Sequence, residues 1–216
     1  MNAMQPQSIL VAALGGEGGG VLADWIVQAA LRAGLPVQAT SVPGVAQRTG
    51  ATSYYIEFLT EPASTGQHPV FALMPVPGRV DTVLASELLE AVRMIERGFV
   101  TAERTCLVTA NHRVLTTAEK MAMGDGSFDV ERLKQAVTAT SASSLMIDLQ
   151  GLAAKHKTVI SAVMFGALAG AGRLPWPRAV CETVIQETGL GVQASLAGFG
   201  EAYVPAAAQT AGGRGS

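Results

Sequence analysis

The chain has 216 residues, of which 49% are hydrophobic and 15% are charged, and its formal net charge is −2. This charge excludes the basic surface that binds nucleic acid, and the low charged share indicates that much of the surface lies against a partner. The length fits one domain of ordinary size. We expect that domain over residues 1–204 and a disordered tail over residues 205–216, which are rich in alanine and glycine.

The two cysteines, Cys106 and Cys181, lie far apart in the sequence and are typical of buried thiols in a reducing compartment. They cannot supply the four thiolates of an iron–sulfur cluster, and the three histidines lack metal-ligand spacing. No signal peptide precedes the first predicted strand, and the longest apolar helical run, residues 159–171, is too short to span a bilayer. The sequence therefore predicts a cytoplasmic protein with neither a metal site nor a membrane segment.

The first predicted elements are a strand, a glycine-rich turn and a helix. An apolar run over residues 8–14 predicts a buried strand, and Gly15-Gly16-Glu17-Gly18-Gly19-Gly20 follows it. Apolar residues then recur at helical spacing from Val21 to Ala30. A helix start behind such a loop presents free N–H groups, which favours an anion. The same loop also fits a tight turn that only lets helix and strand pack closely.

The glycine loop departs from the fingerprint of dinucleotide-binding proteins. Residues 13–18 place Ala13 where the first glycine belongs, and the alternative frame, residues 18–23, lies inside the helix. Thr40 and Ser41 stand where the second strand should end in an acidic residue. No Gly-Lys-Ser/Thr of a P-loop is present. These departures disfavour an NAD site.

Strands and helices alternate along the rest of the chain. Gly34 is predicted as the residue that ends the first helix, and Ser86 and Asp129 as caps of later helices. The predicted strands cover residues 37–42, 53–58, 80–85, 105–110 and 145–149, with residues 70–74 as a hairpin partner. The predicted helices cover residues 87–97, 116–123, 129–138, 151–156, 159–172, 177–187 and 193–203. This order predicts an α/β fold, a Rossmann-like and mostly parallel sheet flanked by helices, with a helical C-terminal part.

A second loop, residues 43–50, carries the cation Arg48. Because the carboxyl ends of parallel strands share one edge, we predict that residues 15–20 and 43–50 leave neighbouring strands and face one crevice. The amides of the glycine loop and Arg48 would then bracket an anion. Arg48 also fits a surface ion pair or a cap on a carbonyl. His112 follows another strand and fits either a structural role or an approach to the same edge.

Small residues four apart, Gly166 and Gly170, lie on the helix predicted over residues 159–172. They allow another helix to approach closely, either in the core or in a second chain. Together with the low charge, they predict a homodimer when the chain is expressed alone.

No catalytic residue is predicted. Residues 124–126 open like a metal motif of thiamine diphosphate enzymes, but the asparagines expected downstream are absent. No Ser/His/Asp or Cys/His set occurs in a suitable context. The chain lacks the parts of a self-sufficient catalyst.

Several segments resemble the beta subunits of indolepyruvate ferredoxin oxidoreductase, a form of the gamma domain of 2-oxoacid:ferredoxin oxidoreductases. The first is residues 14–26 with the glycine loop, and the second is residues 43–57 with Ala46-Gln47-Arg48-Thr49-Gly50. Residues 80–90, 98–101 and 162–170 agree as well. The resemblance spans most of residues 8–200 in order. Two positions depart from the family, Ala13 for its usual first glycine and Glu17 for its usual glutamine.

The resemblance implies a subunit of a larger enzyme. A larger companion subunit would carry thiamine diphosphate and iron–sulfur clusters, and the assembly would decarboxylate an aryl pyruvate oxidatively, form an acyl-CoA and pass electrons to ferredoxin. This chain would hold no cofactor tightly and would help bind coenzyme A or cover the active site. The site residues implied are Gly15, Gly16, Glu17, Gly18, Gly19, Gly20, Gln47 and Arg48.

A second hypothesis is a stand-alone α/β module that binds a nucleotide or phosphate without a catalytic partner. The missing ribose-binding acid and the weakly charged surface favour the enzyme subunit.

Overall fold

The computed structural model describes residues 5–42, 52–63, 69–112, 130–189 and 191–212. Gln47, Arg48, the predicted helix over residues 116–123 and the cap Asp129 lie outside these ranges. Six strands occupy the described residues: β1 (Gln7–Ala13), β2 (Val37–Val42), β3 (Thr52–Phe58), β4 (Thr82–Ala85), β5 (Cys106–Ala110) and β6 (Ser143–Ile147). The helices described there are α1 (Gly19–Arg32), α2 (Leu88–Glu96), α3 (Val130–Thr140), α4 (Leu149–His156), α5 (Ile160–Gly170), α6 (Arg178–Glu187) and α7 (Val192–Gly212).

The strands form one sheet in the order β2-β3-β1-β4-β5-β6. β1, β4, β5 and β6 are parallel, and β3 runs antiparallel to both of its neighbours, β1 and β2. The predicted α/β fold with a mostly parallel sheet is therefore confirmed, as is the helical C-terminal part. The prediction that β1 and β2 are neighbours is wrong. Residues 43–51 are shorter than the roughly dozen residues of a parallel crossover, so β3 returns antiparallel and lies between them.

Helices cover both faces of the sheet. On one face, Ile9 and Val11 of β1 pack with Trp25, Ile26 and Phe165. On the other face, the alternate residues of β1 pack with α2 and α3, through side chains that include Leu10, Ala12, Leu88, Met94 and Val137. Because β1 is buried on both faces, its sequence is a continuous apolar run rather than an alternating one.

α5 is the most buried helix of the described residues and packs closely on α7. A Cβ added to Gly166 would lie 2.1 Å from the carbonyl oxygen of Phe199, and one added to Gly170 would lie 2.4 Å from that of Tyr203. The close approach predicted from the small residues is thus made by a helix of the same chain. This stripe is not available to a second copy.

Two local predictions are wrong. Residues 70–74 are not a strand, since Gln38 and Thr40 of β2 donate through their side chains to the carbonyls of Ala72 and Leu73, at 3.1 and 2.9 Å. Prolines flank this run and remove donors that a ladder needs. Ser86 does not cap α2, because its hydroxyl accepts from the N–H of Leu14 at 3.1 Å.

The expected disordered tail is helical as far as Gly212, because α7 continues through Pro205. Alanine is the strongest helix former, and Ala206 is fully buried where a Cβ added to Gly170 would contact it. No helix of the described ranges is both long and apolar enough to cross a membrane.

Candidate functional site

The candidate site is the turn between β1 and α1, at the carboxyl edge of the sheet. The N–H of Glu17 donates to the carbonyl of Leu14 at 3.1 Å, and Gly16 and Gly18 have φ of +88° and +77°. Gly18 is the N-cap of α1, and its carbonyl accepts the first helical bond, from Leu22 at 2.9 Å. No side chain within the described ranges caps this end. The N–H groups of the first turn therefore lack an intrahelical partner.

The glycines after Glu17 allow close packing around the helix start. A Cβ on Gly18 would lie 2.9 Å from the hydroxyl oxygen of Ser161, and one on Gly19 would lie 2.8 Å from the Cβ of Ala13. One on Gly20 would lie 3.1 Å from the hydroxyl oxygen of Tyr54. The loop is thus a tight packing turn.

Glu17 uses its carboxylate for hydrogen bonds at the ends of β1 and β4. One carboxylate oxygen accepts from the N–H of Leu14 at 3.3 Å, and the carboxylate also bonds the hydroxyl of Ser86 at the end of β4. Burial raises the pKa of Glu17, while the bonds to Ser86 and Leu14 lower it. The acid that would oppose an anion is therefore held at the ends of β1 and β4.

His112 also lies at this edge of the sheet. Its carbonyl accepts from the N–H of Leu88 at 3.1 Å, and both of its ring nitrogens are buried with no hydrogen-bond partner among the described residues. The electrostatic effect of His112 lowers the pKa of Glu17, and the negative charge of Glu87 raises it. Each of these effects is weaker than the effect of burial. His112 thus approaches the glycine loop, one of the two alternatives that the sequence left open.

The other predicted loop can be placed only through its flanking strands. Val42, the last residue of β2, pairs with Ser53, which pairs with Ala12 of β1. The last residues of β1 and β2 therefore lie at the same edge of the sheet, with β3 between them. Gln47 and Arg48 lie outside the described residues, so their contact with the glycine loop stays a prediction.

Sequence reasoning missed two hydroxyls beside the helix start. Tyr54 fits the alternation of β3, and its place in the sequence indicates no role beyond that strand. Ser161 stands in an apolar helix, and no spacing in the sequence relates it to Gly18. Among the described residues, no group of three or more His, Cys, Asp or Glu side chains could hold a metal ion. Cys106 and Cys181 are free and buried.

Comparison with known proteins gives a consistent family. The family model described as pyruvate ferredoxin/flavodoxin oxidoreductase matches residues 8–203. Indolepyruvate oxidoreductase subunit IorB of Pyrococcus horikoshii is 28% identical over 169 residues, 76% of this chain and 77% of that protein. The same subunit of Thermococcus kodakarensis is 27% identical over 187 residues, 85% of this chain and 86% of that protein.

Solved structures share the fold. Pyruvate oxidoreductase subunit PORC of Thermotoga maritima has a TM-score of 0.61 at 16% identity, over 92% of this chain and 96% of that one. A 2-oxoglutarate:ferredoxin oxidoreductase of Magnetococcus marinus, solved with 2-oxoglutarate, coenzyme A and succinyl-CoA bound, also has a TM-score of 0.61, at 18% identity. The match covers 96% of this chain and 31% of that chain.

Proposed function

Because the chain belongs to the pyruvate ferredoxin/flavodoxin oxidoreductase family, we propose that it is the subunit of an indolepyruvate ferredoxin oxidoreductase that carries neither thiamine diphosphate nor iron–sulfur clusters. A larger subunit carries both groups, and the complex converts an aryl 2-oxoacid to an acyl-CoA while ferredoxin takes the electrons. The similarity to two IorB subunits over most of their length supports this assignment. The two cysteines of the chain, fewer than a cluster needs, agree with it.

The role proposed for this subunit is to hold a phosphate group of coenzyme A at the start of α1. One observation carries it: the helix start is uncapped, while the only acid of the loop, Glu17, bonds Leu14 and Ser86 instead. Free amides at a helix N-terminus suit a phosphate or diphosphate in charge and in geometry. Gln47 and Arg48, on the loop that leaves the same edge, complete the proposed site.

Reconstitution tests the proposed function. Ferredoxin reduction by the large subunit should depend on this chain, and a panel of 2-oxoacids should show aryl pyruvates as the preferred substrates. The chain alone should be colourless and inactive. Full turnover by the large subunit without this chain, or failure of the two to associate, would remove the proposal.

An apolar segment offers a surface to the large subunit. Val70, Leu73, Met74 and Val76 are all exposed, Val70 at 91% of its surface. An apolar segment of this kind marks an interaction site on a protein. We propose that the large subunit covers it in the complex and that two copies pair through it when the chain is alone. Light scattering should then find a dimer for the isolated chain, and Leu73→Ser should favour the monomer.

A stand-alone phosphate-binding module remains the second candidate. It would bind a phosphate ligand equally well without any large subunit. The hydroxyl of Thr40 stands where a ribose-binding acid would be, donates to the carbonyl of Leu73 at 2.9 Å and supplies no carboxylate for a ribose. The missing carboxylate favours the enzyme subunit over a dinucleotide-binding module.

A further inference from the structure

Tyr54 places its phenol beside the first turn of α1. The residue lies on β3, opposite Val11 of β1, and is half-buried. Its ring packs against Gly19, where an added Cβ would lie 3.1 Å from the ring carbon Cε2. Its oxygen lies against Gly20, 3.1 Å from an added Cβ. The ring is held by packing, while among the described residues its hydroxyl has no hydrogen-bond partner.

Ser161 is the second hydroxyl without a partner at this helix start. The residue is 1% exposed, and its Oγ has no hydrogen-bond partner in the described part of the chain. That oxygen lies 2.9 Å from the position of a Cβ on Gly18, the N-cap of α1. Ser161 itself lies in the first turn of α5, whose N-cap Val159 gives no side-chain cap either. Two helix N-termini therefore meet at Gly18, and a buried donor is left unsatisfied between them.

An unsatisfied buried hydroxyl is unfavourable, and few are found in folded proteins. The arrangement around Gly18 is therefore typical of a site that a ligand completes. The donors are neutral and numerous, the amides of the first turn of α1 together with the phenol of Tyr54. Such a set matches the several oxygens of a phosphate or diphosphate.

We infer that Tyr54 donates directly to a phosphate oxygen bound at the start of α1, and that Ser161 is a positioning residue that holds the Gly18 peptide when the phosphate is bound. This inference rests on the proposed function and names two further residues of the same site. The ligand group is a diphosphate. Coenzyme A contains this group, and inorganic diphosphate provides it without the rest of the molecule.

Calorimetry on the full-length chain tests the role of Tyr54, with inorganic diphosphate and with coenzyme A as separate probes. Tyr54→Phe keeps the ring against Gly19 and removes only the hydroxyl. We expect the affinity for both probes to fall about tenfold, the loss of one hydrogen bond to a charged group. Tyr203→Phe, on α7, is the matched control and should leave both affinities unchanged.

Gly20→Ala provides a coupled test of the same contact. The added Cβ lies 3.1 Å from the Tyr54 oxygen but 3.5 Å from the ring carbon Cζ that bears it. In the wild-type background it should displace the phenol and weaken diphosphate binding. In the Tyr54→Phe background it should have little further effect. Equal, additive effects in both backgrounds would contradict a direct bond from Tyr54.

Ser161→Ala separates a positioning role from a merely structural one. Removing a hydroxyl that has no partner should leave the unfolding transition of the free chain unchanged or raise it. The same variant should bind diphosphate severalfold more weakly. A loss of stability with unchanged binding would assign Ser161 to the core alone.

The outcomes distinguish the inference from the proposed function. If both probes bind, and Tyr54→Phe binds them as tightly as wild type does, the inference is overturned and the proposed function stands. Binding of diphosphate but not coenzyme A supports the two residues and removes the coenzyme A role. If the wild-type chain binds neither probe, both the inference and the proposed role of α1 fall.

Discussion

Glycine has a different structural role in each of the two glycine-rich regions of this chain. At the contact of α5 with α7, the missing Cβ atoms of Gly166 and Gly170 face backbone carbonyls of a neighbouring helix. At the start of α1, the missing Cβ atoms of Gly18 and Gly20 face hydroxyls that have no partner among the described residues. The first region is closed packing, and the second is packing that leaves donors available. What a glycine faces therefore separates a core contact from a candidate site.

The largest effect should come from filling the closed region. Gly166→Ala places a Cβ 2.1 Å from the carbonyl oxygen of Phe199, so α7 has to move away from α5. We expect a loss of about 3 kcal/mol in the free energy of unfolding, at the upper end of overpacking effects. Denaturant unfolding measures it, and Ala169→Ser on the half-buried side of the same helix is the control. A change below about 1 kcal/mol would show that α7 is not held where the structure places it.

Gly18→Ala should cost less stability but more function. Its φ of +77° strains any residue with a Cβ, and the added atom also contacts Ser161. Gly34→Ala is a matched control, because Gly34 has a φ of +73° and nothing within 4 Å of an added Cβ. Both variants should lose about 1–2 kcal/mol of unfolding free energy from the strain, and only Gly18→Ala should also lose diphosphate affinity. Equal diphosphate affinities for the two variants would make the start of α1 a packing turn only.

Particular residues explain why the sequence predicted α1 well and its surroundings poorly. Gly18 and Gly34 take positive φ at the two ends of the helix, so both ends were visible in the sequence. The direction of β3 was not visible, because alternation gives the faces of a strand and not its neighbours. Ser161 lies more than a hundred residues from Gly18, and only the packing of α5 beside α1 brings them together.

Two other segments were predicted wrongly because their composition does not show the tertiary contacts that they make. The apolar run over residues 70–74 has the residues of a strand, yet side chains of β2 occupy its carbonyls. The alanines after Pro205 have the composition of a tail, yet Gly170 leaves room for Ala206. In both cases a tertiary contact decides what the local pattern leaves open.

A smaller effect is expected from Glu17→Gln. Removing the negative charge near the α1 amides should raise the affinity for diphosphate about two- to fivefold, the range of a partly exposed charge interaction. The amide can still accept from Leu14, so the turn should persist. Calorimetry at two salt concentrations measures the gain, which should shrink as salt rises. An unchanged affinity at low salt would place the carboxylate too far from the ligand to matter.

The same variant has a pH dependence of definite sign. Burial raises the pKa of Glu17 above its ordinary value of 4.5, so the fold disfavours the ionised form. The contribution of this group to stability is present below that ordinary value and is lost as the pH rises through the raised pKa. Glu17→Gln should therefore gain stability relative to wild type as the pH rises above the ordinary value of 4.5. Unfolding free energies measured at several pH values test this. A difference between the two proteins that stays constant as the pH rises would contradict the raised pKa.

The central claim is that the start of α1 binds a phosphate group, and amide chemical shifts test it most directly. In a titration of the full-length chain with inorganic diphosphate, the N–H resonances of Gly19, Gly20 and Val21 should move in a saturable way. Those of Gly166 and Gly170 should stay in place. Diphosphate that leaves the three amides at the start of α1 unmoved, while the chain is folded, would contradict the account.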